Sequence, residues 1–162
     1  MPGNIFQTGI ISMIKVLFLD IDGVLNTDRQ QWHCQMNCIT PIDEFGYEFD
    51  HKAVDNLATI LEETGAEIVI SSSWKFLGLQ TLQKMWEDRK LPGTILDITP
   101  DGKSKGWEID EWLMECESQV NRYAIIDDEN DILPKQLNHF VQTNSQFGIT
   151  CKDAERVITI LR

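Results

Sequence analysis

The chain predicts an α/β fold: a parallel sheet of about five strands with helices on both faces. Short apolar runs rich in strand-forming residues stop abruptly at polar turns, as fully buried parallel strands do. Segments between them carry apolar residues at helical spacing. The alternation persists along the chain, and no internal repeat, low-complexity tract or linker divides it.

The first strand is read at Ile14 to Asp20. Thr27 to Phe49 follows with no clean period and with Trp32, His33, Pro41, Gly46 and Tyr47, and is read as a flap over residues 27–49. Long loops in compact domains are usually lids or disorder, and Trp32 and Tyr47 favour a partly ordered lid. Asp50 caps a helix to Glu63 with Val54, Leu57, Ile60 and Leu61 as its stripe, and Gly65 stops it. Glu67 to Ile70 is strand two and runs into Ser71-Ser72-Ser73-Trp74. A helical stretch from Leu77 to Arg89, with Leu79, Leu82, Met85 and Trp86 on one face, ends before the Pro92-Gly93 turn. Strand three is Thr94 to Ile98. A helix from Ser104 to Cys116 buries Ile109, Trp112 and Leu113, and Trp86, Trp107 and Trp112 are read as packing residues. Strand four, Arg122 to Ile126, ends in Asp127-Asp128-Glu129; Phe140-Val141 is a short fifth strand, and Lys152 to Leu161 a closing helix.

With 162 residues, 42% of them hydrophobic and 25% charged, the chain reads as one domain over 13–162 behind a loose tail, 1–12. The tail lacks the basic cluster and apolar stretch of a signal peptide, and Met13 offers a second start. A net charge of −12 argues against an extended nucleic-acid groove, whose phosphates need Lys and Arg. A small phosphorylated substrate remains compatible, because a bound metal reverses the local field. Cys34, Cys38, Cys116 and Cys151 form no disulfide framework and, with His33, fit no common zinc spacing. Without a run of 18 apolar residues, no membrane helix is expected, and a reduced, cytoplasmic protein is the default.

The chemistry lies where the strands end. Asp20-Ile21-Asp22-Gly23 closes the first strand, so extended geometry points both carboxylates to one side of the carboxyl edge, where open α/β sheets bind ligands. Two carboxylates held together call for a hard cation, Mg²⁺, and leave an Asp able to attack phosphorus. Strand two ends in Ser71 and strand four in Asp127 and Asp128, while Lys105 opens a helix; a parallel sheet brings all these ends to one edge.

Asp20-Ile-Asp22-Gly23-Val24-Leu25-Asn26 resembles the first motif of haloacid dehalogenase-like (HAD) phosphohydrolases. The resemblance runs from Ile14 to the C-terminus and implies a Rossmann-like three-layer α/β/α sandwich with the first strand central. It implies Asp20 as nucleophile and metal ligand. Asp22 is implied as general acid/base, touching the metal through its backbone carbonyl. Ser71 is implied to bind a phosphoryl oxygen, with Ser72 and Ser73 adding contacts, and Lys105 to neutralise charge, with Lys103 as competitor. Asp127 and Asp128 are implied to complete the Mg²⁺ shell, one as a direct ligand and the other through water, with Asp131 a more distant candidate. The Ile-Val-Ile-Ser-Ser-Ser-Trp run and the later Glu-Ile-x-x-Trp-Leu are similar to small HAD proteins related to RNA-repair modules. With only a flap as cap, the implied activity is a Mg²⁺-dependent phosphatase with an open site. Its expected substrate is a phosphorylated small molecule, nucleotide or nucleic-acid end. Two other classes compete: a phosphorylation-dependent binding module and an inactive HAD fold. A receiver-type module places its acidic pair on the first strand and its phospho-acceptor on a later one, the reverse of the order here, and an inactive fold need not keep Asp20, Asp22, Ser71, Lys105 and Asp127 together.

Overall fold

The computed structural model describes residues 12–116 and 118–162. The expectation of a loose tail over 1–12 falls, but for its last residue, outside the described residues. The strands are β1 (Ile14–Leu19), β2 (Glu67–Ile70), β3 (Ile95–Ile98), β4 (Val120–Asp127) and β5 (Phe140–Gln142). They form one all-parallel sheet in the order β3-β2-β1-β4-β5, with β1 central. The helices are α1 (Asp28–Met36), α2 (His51–Thr64), α3 (Leu79–Asp88), α4 (Lys105–Cys116) and α5 (Cys151–Leu161). The result is the three-layer, Rossmann-like α/β arrangement that the sequence predicts.

Alternation along β1 builds two cores. Leu17 and Leu19 pack with Leu57 and Ile60 of α2, Leu82 and Met85 of α3, and Val157 and Leu161 of α5. Val16 and Phe18 face the other way, onto Ile109 and Trp112 of α4. The split follows from handedness. The chain steps from β1 outward to β2 and β3, then crosses back over β1 to β4 and on to β5. Crossovers between parallel strands are right-handed as a rule, so reversing the direction of travel moves the connecting helix to the opposite face. The reversal falls between β1 and β4, whose carboxyl ends are the switch point where such sheets bind ligands.

The helix over Asp50–Glu63 forms as its signals direct. The Asp50 side chain accepts from the Lys52 N–H, and Gly65, at φ +66°, ends it in the left-handed region. The stretch from Leu77 differs: a 3-10 turn over Ser73–Leu77 comes first, and α3 starts only after Gly78 at φ +87°. Trp86 and Trp112 are buried as expected, whereas Trp107 is 55% exposed, because the buried face of α4 is set by Ile109 and Trp112.

The segment 27–49 contains a helix, α1, and is not simply a loop. Cys34 is the one buried residue of α1, so apolar burial does not hold it. It is pinned at its start: the Thr27 hydroxyl donates to Asp50 at 2.7 Å, and the Arg29 guanidinium donates to the same carboxylate at 2.8 Å. The second half of the segment is latched by Arg89, whose guanidinium forks onto both Asp43 carboxylate oxygens, donates to the Tyr47 carbonyl and lies over the Phe49 ring. Replacing Arg89 by Ala leaves a nearly buried socket without its charge. We expect a loss of roughly 3 kcal/mol in urea unfolding, with faster proteolysis between residues 39 and 48. Among the described residues, no helix is long and apolar enough to cross a membrane.

Candidate active site

Register assembles the site. Leu19 of β1 pairs with Ile70 of β2 on one side and with Ile126 of β4 on the other. One residue further, Asp20 therefore stands level with Ser71 and Asp127 in a row across three adjacent strands, which lie about 4.8 Å apart. Backbone bonds continue the ladder to this row: the Ser71 N–H donates to the Leu19 carbonyl at 2.9 Å and the Asp20 N–H to the Ile126 carbonyl at 3.1 Å. Ser71, Asp20 and Asp127 are 2%, 4% and 3% exposed. The row spans the switch point between β1 and β4, where the strand order reverses.

Lys105, the first residue of α4, enters the row from the other layer. Its ammonium lies 3.1 Å from Asp20 Oδ2 and 2.8 Å from Asp127 Oδ2. Lys103 is exposed and makes no ion pair among the described residues. Lys105 is placed by a cap from outside its own helix: its N–H donates to the Asp131 carboxylate at 3.1 Å, and the Gly106 N–H to the Asp131 carbonyl at 3.0 Å. Gly106 is needed for this approach, since a Cβ there would lie 2.7 Å from the Leu133 nitrogen and 2.9 Å from Ile132 backbone atoms.

Asp20, Asp127 and Asp128 each bring a carboxylate oxygen into a group whose ligand atoms all lie within 4.8 Å of one another. Three carboxyl groups crowd together here, and the Lys105 ammonium contacts two of them, Asp20 and Asp127. Burial first, then Asp127, push the Asp20 carboxyl up to about 8 against the lowering pull of Lys105. Burial raises Asp127 as well, and Lys105 only partly offsets it. Burial pulls Lys105 down, but Asp20 and the bond to Asp127 together carry it above the usual lysine range. Gly23, at φ +78°, lets Asp128 close over the turn, because a Cβ there would overlap the Asp128 carboxylate. Hard oxygen donors in surplus negative charge suit a hard divalent cation.

The carboxylate of Asp22 lies outside that group and is exposed. Its Oδ1 accepts from the Asn26 amide at 2.8 Å and its Oδ2 from the Trp74 indole N–H at 3.0 Å. Ser72 is buried, and its hydroxyl accepts from the Trp74 N–H as the cap of the 3-10 turn, whereas Ser73 is exposed. Ser71 differs from both: its Oγ is buried without a hydrogen-bond partner among the described residues. A buried hydroxyl left unsatisfied costs about 1–3 kcal/mol, so this hydroxyl has a hydrogen bond to offer. Accordingly, Ser71→Ala should leave thermal stability unchanged or raise it by about 1 kcal/mol while weakening phosphate binding, as measured by calorimetric titration and by thermal melting.

A sequence model of the family described as the HAD domain in Swiss Army Knife RNA repair proteins matches residues 16–154, from β1 into α5. The chain belongs to this family. HAD domains form a superfamily of phosphohydrolase type, and an acidic cluster lies at the sheet edge of this one. No curated protein matches the chain.

Sequence reading named Asp131 only as a distant metal candidate and missed its role as a cap. It lies outside the acidic group and stands 26 positions from the backbone it caps, so no local pattern reveals that contact. Gly106 did leave a signal, since a glycine in the first turn of a helix lowers helix propensity and marks a close approach.

Proposed function

We propose that this HAD domain is a Mg²⁺-dependent phosphomonoesterase that works through an aspartyl phosphate on Asp20, with a nucleotide or nucleic-acid terminal phosphate as substrate. The row formed by Ser71, Asp20 and Asp127, with Lys105 set against two of its members, carries this reading. Asp20, Asp127 and Asp128 would hold the cation. When bound, it supplies the positive charge that keeps Asp20 ionised and offsets charge on the phosphoryl oxygens.

An Asp20 carboxylate oxygen attacks phosphorus in line with the ester oxygen. As the P–O ester bond breaks, Asp22 gives its proton to the leaving oxygen. Water then loses a proton to Asp22 and attacks the same phosphorus, which releases inorganic phosphate and restores Asp20. Lys105 offsets charge on the attacking carboxylate and the transferring group, and the free Ser71 hydroxyl donates to a phosphoryl oxygen. The family description supports a terminal phosphate on RNA or a nucleotide. The net charge of −12 supports recognition of an end over a long polymer track.

The test is phosphate release from p-nitrophenyl phosphate, nucleotides, sugar phosphates and phosphorylated oligonucleotide ends, each with Mg²⁺ and with EDTA. Release that requires Mg²⁺ and favours nucleotides or oligonucleotide ends supports the reading. Activity on sugar phosphates alone removes the substrate class. A folded protein that binds Mg²⁺ but releases nothing favours a phosphorylation-dependent binding role.

A further inference from the structure

We infer that the segment 27–49 is a brace for the Asp22 carboxyl, and that Trp74 and Asn26 are the positioning residues through which it acts. The inference rests on the phosphatase reading and on contacts not yet used in it. Asp22 is exposed, and an exposed carboxyl is normally free to rotate, yet each of its oxygens is held by one N–H donor. Each oxygen keeps a second lone pair for the proton it must carry.

Both donors are fixed in turn by the same segment. On one side, the Asn26 side-chain carbonyl accepts from the Gln31 amide of α1, which presents the Asn26 nitrogen to Asp22. On the other side, the Trp74 indole packs edge-on against Phe49, with ring centroids 5.6 Å apart. Phe49 lies under the Arg89 guanidinium at 4.7 Å, and Arg89 grips Asp43. Two routes, Gln31–Asn26 and Phe49–Trp74, thus start from the segment and meet at one carboxyl, with Arg89 at the end of α3 holding the second in place. A proton donor must be held within hydrogen-bond reach of the leaving oxygen, and small misplacement is expensive in rate. The segment therefore orients the acid, whether or not it also covers the substrate.

A brace for a general acid has a signature that a merely structural role lacks. A leaving group that departs as a poor base needs no proton, so kcat/KM for p-nitrophenyl phosphate, which reports steps through leaving-group departure, depends little on Asp22. An alkyl monoester such as β-glycerophosphate depends on it fully. Trp74→Phe keeps an aromatic ring beside Phe49 and removes the donor. It should lower kcat/KM for β-glycerophosphate roughly tenfold more than for p-nitrophenyl phosphate. Gln31→Leu, which leaves both donors present and loosens one, should show the same bias at about threefold. In an Asp22→Asn background, Trp74→Phe should add nothing to the loss on the alkyl ester.

Equal losses on the two esters, or full additivity with Asp22→Asn, would overturn the brace while leaving an active wild type and its phosphatase reading in place. A wild type that releases phosphate from neither ester overturns both. Should Trp74→Phe fail to fold, as judged by its melting midpoint, the Gln31→Leu comparison decides alone.

Discussion

Asp20→Asn is expected to abolish Mg²⁺-dependent phosphate release, by roughly a thousandfold or more in kcat, as losing a nucleophile does. The same substitution should make the metal-free protein more stable at alkaline pH, which separates loss of chemistry from loss of fold. In the folded chain, burial and Asp127 hold the Asp20 carboxyl at about 8, against 3.8 for the ordinary group. A raised carboxyl binds its proton more tightly in the folded than in the unfolded state. Its contribution is therefore fully present below about pH 4 and is lost as pH rises toward 8. Asn carries no such penalty, so the stability difference between variant and wild type should widen across that window in EDTA. Adding Mg²⁺ should narrow it by stabilising the wild type. Chemical denaturation at pH 5 and pH 8, with and without Mg²⁺, measures all of this.

Lys105→Met should be the most destabilising change in the site. It leaves Asp20 and Asp127 buried, adjacent and without their ammonium. Removing one partner from a buried charge cluster costs roughly 3 kcal/mol or more, and the loss should be smaller at pH 5, where the carboxyls can take up protons instead. Mg²⁺ should recover much of the stability, because a cation replaces the missing charge, but not the turnover, because the proposed mechanism also uses Lys105 to offset charge on the transferring group. Lys103→Met is the matched comparison. Exposed and without an ion pair among the described residues, it should shift stability by less than about 0.5 kcal/mol and leave turnover unchanged. Equal effects of the two substitutions would contradict the geometry that gives Lys105 its place.

The sheet was legible because parallel strands buried on both faces must be written as continuous apolar runs. Val16 to Leu19 and Ile68 to Ile70 could hardly be anything else between their polar ends. The row at the site was legible for a related reason. Strand ends in a parallel sheet share one edge, so Asp20, Ser71 and Asp127 needed no contact information to be grouped. Segment 27–49 was not legible as a helix and a latch. Helix α1 buries only Cys34, and its fixings are Asp50, 21 to 23 residues from the side chains it grips, and Ser145, whose hydroxyl donates to Asp28 across 117 positions. Such partners leave no periodic trace. Lys105 could be preferred to Lys103 by motif alone, but its phase on α4 is set by Asp131 and the close approach of the 131–133 backbone to Gly106. The orientation of Asp22 was likewise hidden, because Trp74 reaches it across 52 residues.

The covalent intermediate can be captured directly. The Mg²⁺-loaded protein is mixed with p-nitrophenyl phosphate, quenched in acid within one turnover, reduced with borohydride and mapped by peptide mass. An acyl phosphate on Asp20 should be reduced to homoserine at that position alone and should disappear when Mg²⁺ is withheld. Reduction at Asp22, Asp127 or Asp128 instead, or steady phosphate release with none of the four modified, would contradict Asp20 as the nucleophile.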